Sequence, residues 1–148
     1  MQQNFEELFE KAAQVHGHKC PSLFYGVSFG LLACREHDGD TRQIILEGSS
    51  KCIRDGISSV LQESAIHAKI KIISNPPVCA LTLADDRNIR RFILSPLVRQ
   101  QINRWNKELP LEEFQRQGVE YLRTLKTEEL FLTEPISREE FENLCKRT

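Results

Sequence analysis

Apolar residues recur along this chain in two periods, and the alternation between them lays out its elements. Phe5, Leu8, Phe9 and Ala12 repeat at helical spacing behind Asn4 and Glu7, which have the spacing of a capping box. That first helix should end near Gly17. Pro21 suits the first position of a second helix running to about His37. In it Ser22, Gly26, Gly30 and Cys34 form a stripe of small residues at four-residue spacing, flanked by Leu23, Phe24, Val27 and Leu31. Small residues in such a row let another backbone come close, so this helix should be central and buried. Asp38-Gly39-Asp40 reads as a turn and Arg42 to Glu47 as a strand.

Ile53, Ile57, Val60 and Leu61 return to helical spacing, which starts a third helix close to Cys52 with Ser49 or Ser50 as cap. Ala68 to Ser74 alternates like a half-buried strand. After the turn at Asn75-Pro76-Pro77, Val78 to Leu83 reads as its antiparallel partner. Ser95-Pro96 opens a helix carrying Leu97, Val98, Ile102 and Trp105, and Pro110 opens another carrying Leu111, Phe114, Val119, Leu122 and Leu125. Glu129 to Thr133 reads as a last strand. Ser137 and Glu140 cap a terminal helix with Phe141 and Leu144 on its inner face. Helices and hairpins without regular βαβ alternation predict an α+β protein, an antiparallel sheet packed with helices in a single domain over residues 1–148.

Composition narrows the function classes. The chain is 148 residues long, 40% hydrophobic and 28% charged, with a formal net charge of −1, so no whole-protein field points to nucleic acid. The acidic, amphipathic N-terminus is unlike a signal or transit peptide, and the apolar run around Val27 to Ala33 is far shorter than the ~20 residues of a membrane span. Five widely spaced cysteines (20, 34, 52, 79 and 145) without secretory features fit a reduced cytoplasm.

The chemistry concentrates at His16-Gly17-His18-Lys19-Cys20-Pro21. On a helix His16 and Cys20 would share a face with His18 turned away; in an extended corner all three would face one side. Cys20 and Cys52 each precede or open a helix, where backbone amides favour anions, so both thiols are candidates for a lowered pKa. Asp55 lies three residues past Cys52, on roughly the same helical face, as a base, a ligand or a first-turn carboxylate. If the two helix starts meet, His16, His18, Cys20 and Cys52 form a set that zinc accepts tetrahedrally, with Asp55 at its edge.

Were the site catalytic, a metal-activated water or the Cys52 thiolate would be the nucleophile, with His18 or Asp55 moving protons. The plainer readings are histidines capping a helix C-terminus and cysteines filling the core. Cys34 and Cys79 read as core, and His37 and His67 as surface. Arg87, Arg90 and Arg91 form a basic cluster that reads as a solvated face or a contact between protomers, with an anionic group as the alternative.

The run His16-Gly17-His18-Lys19-Cys20-Pro21 resembles the opening motif of the formylmethanofuran dehydrogenase E-subunit family, His-Gly-His-x-Cys-Pro-Gly. Cys52-Ile53-Arg54-Asp55-Gly56 resembles its Cys-x-x-Asp-Ala signature, and Glu129-Leu130-Phe131 its closing strand. The chain departs from the pattern at Ser22, at Gly56 and at Gln62-Glu63-Ser64-Ala65, and Cys145 stands alone where some relatives add a four-cysteine zinc finger. The resemblance implies a helix-covered antiparallel sheet and a homodimer. It also implies a cavity lined by His18, Cys20 and Cys52 with His16 and Asp55 nearby. Functionally it implies a metal-binding protein, zinc or another transition ion, accessory to a redox or one-carbon enzyme such as molybdenum formylmethanofuran dehydrogenase. The alternatives are a metal sensor or carrier, and a structural dimeric component.

Overall fold

The computed structural model describes residues 5–36, 43–48, 50–62, 69–74, 76, 78–85 and 87–148. The elements run α1 (Phe5–His16), α2 (Pro21–Glu36), β1 (Gln43–Glu47), α3 (Lys51–Leu61), β2 (Lys69–Ile73), β3 (Ala80–Ala84), β4 (Ile89–Leu94), α4 (Pro96–Glu108), α5 (Leu111–Arg123), α6 (Thr127–Leu130), β5 (Phe131–Glu134) and α7 (Arg138–Lys146). Asn4 as cap, His37, the Asp38–Asp40 turn, Ser49, His67 and the ends of the turn at Asn75-Pro76-Pro77 lie outside the described residues.

The five strands form one sheet in the order β2-β1-β3-β4-β5. It is an α+β fold with a mixed sheet, not a purely antiparallel one: β1 and β2 are parallel, and the other pairs antiparallel. The predicted hairpin of β2 with β3 does not form. β1, α3 and β2 instead make one crossover unit, since parallel neighbours need a long connection and α3 supplies it. β3 is buried at every position and lies between β1 and β4, where both faces and both edges are covered; β2, with its alternating pattern, takes the edge.

β4 is a strand that its arginines concealed. Arg90 bonds Glu36 at the end of α2, Oε2 accepting at 3.2 Å, while Arg91 donates to Glu47 on β1 and to Glu134 on β5. The Arg87–Arg91 cluster is therefore mostly turned to carboxylates of the same chain; Arg87 alone of the three is exposed. The closing strand begins later than expected, at Phe131, because Thr127–Leu130 forms a helical turn whose Glu129 carboxylate accepts from the Lys126 N–H at 2.9 Å.

One face of the sheet, with Ile44, Leu46, Leu81, Leu83, Phe92 and Leu94, packs under α1 to α5 in the main core. The opposite face, with Ile45, Ile73 and Ala84, is covered by Phe141 and Leu144 of α7. Cys79 is core, as its apolar context predicts, and Cys34 packs half-buried against it.

The contact between α2 and α3 positions the site. A side chain added at Gly26 would strike the Ile53 carbonyl and come to 3.0 Å from the Cα of Gly56; one added at Gly56 would lie 2.8 Å from the Leu23 carbonyl oxygen. Backbone thus lies against backbone at this point, and one turn on Gly30 lies against the Val60 side chain. The small-residue stripe makes this approach possible, and it brings the starts of the two helices side by side.

Candidate metal centre

Three local devices aim the His-Gly-His-x-Cys segment. Helix α1 ends at His16, and Gly17 turns the chain at φ +104, a left-handed conformation that side chains rarely adopt, while its N–H donates to the Ala13 carbonyl at 2.7 Å. Residues 18–20 then cross without helical hydrogen bonding to Pro21. Cys20 caps α2: its carbonyl accepts from the Phe24 N–H, and its Sγ accepts from the Leu23 N–H at 3.4 Å. The corner replaces continuous helix, so His16 and His18 turn to the same point, their rings 4.5 Å apart.

The second segment arrives from α3. Ser50 caps this helix through its hydroxyl, accepting from the Cys52 N–H at 3.1 Å, which fixes Cys52 in the first turn. Its Sγ lies 3.1 Å from His16 Nε2 and 3.9 Å from His18 Nε2. One donor atom from each of His16, His18, Cys20 and Cys52 lies within 4.8 Å of all the others. The structure brings together all four residues that the spacing singles out, although they come from two segments separated by the whole of α2 and β1.

Asp55 stands behind this cluster. Its Oδ2 is 2.6 Å from His16 Nδ1, with Lys51 Nζ 3.6 Å away on the open side. Asp55 is partly exposed, while the His16 side chain is only 5% accessible. With Nδ1 donating to the carboxylate, Nε2 of His16 is left with its lone pair toward Cys52, the arrangement that carboxylates impose on metal-binding histidines.

Burial reverses the expected shift at Cys20. Its removal from water pushes the thiol up to about 12, and the nearby Cys52 adds to the rise, while the Leu23 N–H opposes it. The helix N-terminus alone would favour thiolate; the apolar surroundings outweigh it. A cation beside Sγ would restore the balance, because it supplies the charge that burial withholds.

The donor set and its spacing fit a tetrahedral ion. Zn–S bonds of about 2.3 Å and Zn–N bonds of about 2.0–2.1 Å place tetrahedral donors about 3.4–3.8 Å apart. The observed separations of 3.1 and 3.9 Å bracket that range, and the upper limit of 4.8 Å requires a contraction of about 1.0–1.4 Å. Cys20 forms the buried floor of the site, Cys52 is half-buried and His18 is exposed, so the site opens to solvent along His18.

Helix-covered mixed sheet and His/Cys cluster together define a class: an α+β domain with a potential metal site built where two helix starts meet. A family model described as FmdE, molybdenum formylmethanofuran dehydrogenase operon, matches residues 15–132, and the chain belongs to that family. Among solved structures, a tungsten formylmethanofuran dehydrogenase FmdE-like protein from Syntrophus aciditrophicus shares the fold. It is 18% identical, with a TM-score of 0.56 over 93% of this chain and 75% of that one. No curated protein matches.

Proposed function

We propose that this protein binds one transition-metal ion, zinc by the chemistry of its donors, on His16, His18, Cys20 and Cys52, and serves as an accessory to a redox or one-carbon enzyme. The observation that carries this is the convergence of two imidazoles and two thiols, from segments far apart in sequence, within 4.8 Å, with His16 oriented by Asp55. The accessory role is supported by family membership. An ion bound here would supply Lewis acidity and favour deprotonation of whatever group reaches it.

The chain's own residues would divide the remaining work. Cys20 and His16, buried and hydrogen-bonded, anchor the site. Cys52 lies within reach of both imidazoles; without the ion either ring could take its proton, and a Cys52 thiolate is then the candidate nucleophile. His18, exposed at the mouth, is placed to exchange protons with an incoming substrate when it is off the ion, and Asp55 holds His16 through its Nδ1. A second reading, metal delivery without catalysis, is favoured by the exposure of His18, a ligand free to let go.

We also infer a homodimer working in the cytoplasm. The exposed apolar side chains Leu97 (77%) and Leu111 (68%) are available for a second copy to cover. Among the described residues no helix is long and apolar enough to cross a membrane.

Elemental analysis of protein purified without a metal-affinity tag, beside Cys20→Ser and Cys52→Ser, tests the metal reading. The expected result is about one transition ion per chain, lost in both variants. A metal-free wild type whose thiols are no more reactive than a free cysteine would overturn it.

A further inference from the structure

Away from the His/Cys cluster, a cleft of about 560 Å³ opens along the outer side of α4. It shares no residue with the metal centre. Its wall is apolar where Val78 and Pro96 meet it, and its rim carries Arg99, Arg104 and Lys107. The carboxamides of Gln100 and Asn103 stand between these charges, and among the described residues no carboxylate lines the cleft. Three cations gathered in one concavity of a chain with net charge −1 is a local asymmetry that the whole-chain balance hides.

The cations there are not spoken for. Elsewhere several arginines are turned to carboxylates, as Arg90 is to Glu36 and Arg91 to Glu47 and Glu134. Among the described residues neither Arg99 nor Lys107 has an ion-pair partner, and Arg104 spends one nitrogen on the amide oxygen of its neighbour Gln101. Arg99 is half-buried, so part of its side chain is fixed by packing, and its planar fork suits a bidentate bond to an anion. The buried Tyr25 hydroxyl, which has no hydrogen-bond partner among the described residues, lies near enough to Arg99 to feel its charge.

We propose that this cleft binds a small organic oxyanion. Its phosphate or carboxylate head would meet Arg99, Arg104 and Lys107, and its apolar body would rest on Val78 and Pro96. The planar forks of the two arginines suit an oxyanion, the carboxamides can bond further oxygens, and the apolar wall disfavours a bare inorganic ion as the occupant. This site does not depend on the metal reading.

Calorimetric titration of the full chain at ~0.1 M salt, a concentration that screens unspecific surface attraction, tests it with phenyl phosphate, benzoate and inorganic phosphate as probes. The expected result is saturable one-site binding of phenyl phosphate or benzoate, with inorganic phosphate weaker than the stronger of the two. The stronger of the two organic probes identifies the head group. Arg99→Gln and Lys107→Glu should each weaken binding about tenfold, while Arg116→Gln on α5, outside the cleft, should leave it unchanged. Lys107 is exposed, so its variant keeps the test valid should Arg99→Gln fold poorly. The proposal is overturned if neither organic probe saturates, if inorganic phosphate binds as well as the stronger organic probe, or if Lys107→Glu binds like the wild type. The same titration of Cys52→Ser should give wild-type affinity, which separates this outcome from that of the metal reading.

Discussion

Gly26→Ala should damage the metal centre without touching any of its ligands. The added methyl would collide with the Ile53 carbonyl and lie 3.0 Å from the Cα of Gly56, and both obstacles are backbone, so no side chain can swing aside. To bring these contacts to an ordinary distance α2 and α3 must part by on the order of 1 Å, an overpacking that costs about 1–3 kcal/mol. Alanine's better helix propensity returns up to about 1 kcal/mol. The net loss is therefore about 0–3 kcal/mol in the metal-free protein, centred near 1–2 kcal/mol and read by urea unfolding.

The same parting moves Cys52, the residue before Ile53, away from Cys20. Ligand separations of up to 4.8 Å already exceed the ~3.8 Å that a bound ion requires. Metal affinity, measured by competition with a chromophoric chelator, should fall about tenfold, the lower end of what misplaced supporting groups cost. A Gly26→Ala protein as stable as the wild type and with undiminished affinity would refute the claim that this glycine contact builds the site.

Three further outcomes follow from the structure. Asp55→Asn removes the charged acceptor that orients His16 and should weaken metal binding about 10–100-fold in the same competition assay, with little change in metal-free stability; an affinity within about threefold of wild type would contradict the orienting role. Glu47 is fully buried and accepts three hydrogen bonds from Arg91 at 2.8–3.0 Å, so Glu47→Gln and Arg91→Gln should each cost about 3–5 kcal/mol in urea unfolding, with the double variant losing less than the sum. Burial also pushes the Cys79 thiol up to about 12 from 9.0. Because its folded pKa is the higher one, its contribution is fully present below pH 9 and is lost between pH 9 and 12, at about 1.4 kcal/mol per pH unit at most, so Cys79→Ala should flatten the alkaline fall in stability.

The helices and their caps were legible because their signals are local: Pro21 opens α2, Ser95-Pro96 opens α4, and Ser137 with Glu140 caps α7. Strand order was not, because pairing is decided by partners far along the chain. Ile89–Leu94 does not read as a strand on its own, since Arg90 and Arg91 find their carboxylates on α2, β1 and β5. The four candidate ligands were legible as residue types at helix starts. Their meeting rests on Gly26 and Gly56, of which only the small-residue stripe carried a hint. The sign of the Cys20 shift was misread for the same reason: the helix amide is local to the sequence, while the burial that outweighs it is tertiary.

The central claim is that two imidazoles and two thiolates hold one ion. X-ray absorption at the edge of whatever transition metal copurifies with the untagged protein tests it most directly. Two sulfur scatterers at about 2.3 Å and two nitrogens at about 2.0–2.1 Å are expected, with one sulfur lost in Cys52→Ser and one nitrogen in His18→Ala. A shell of oxygen and nitrogen alone, unchanged in those variants, would contradict it.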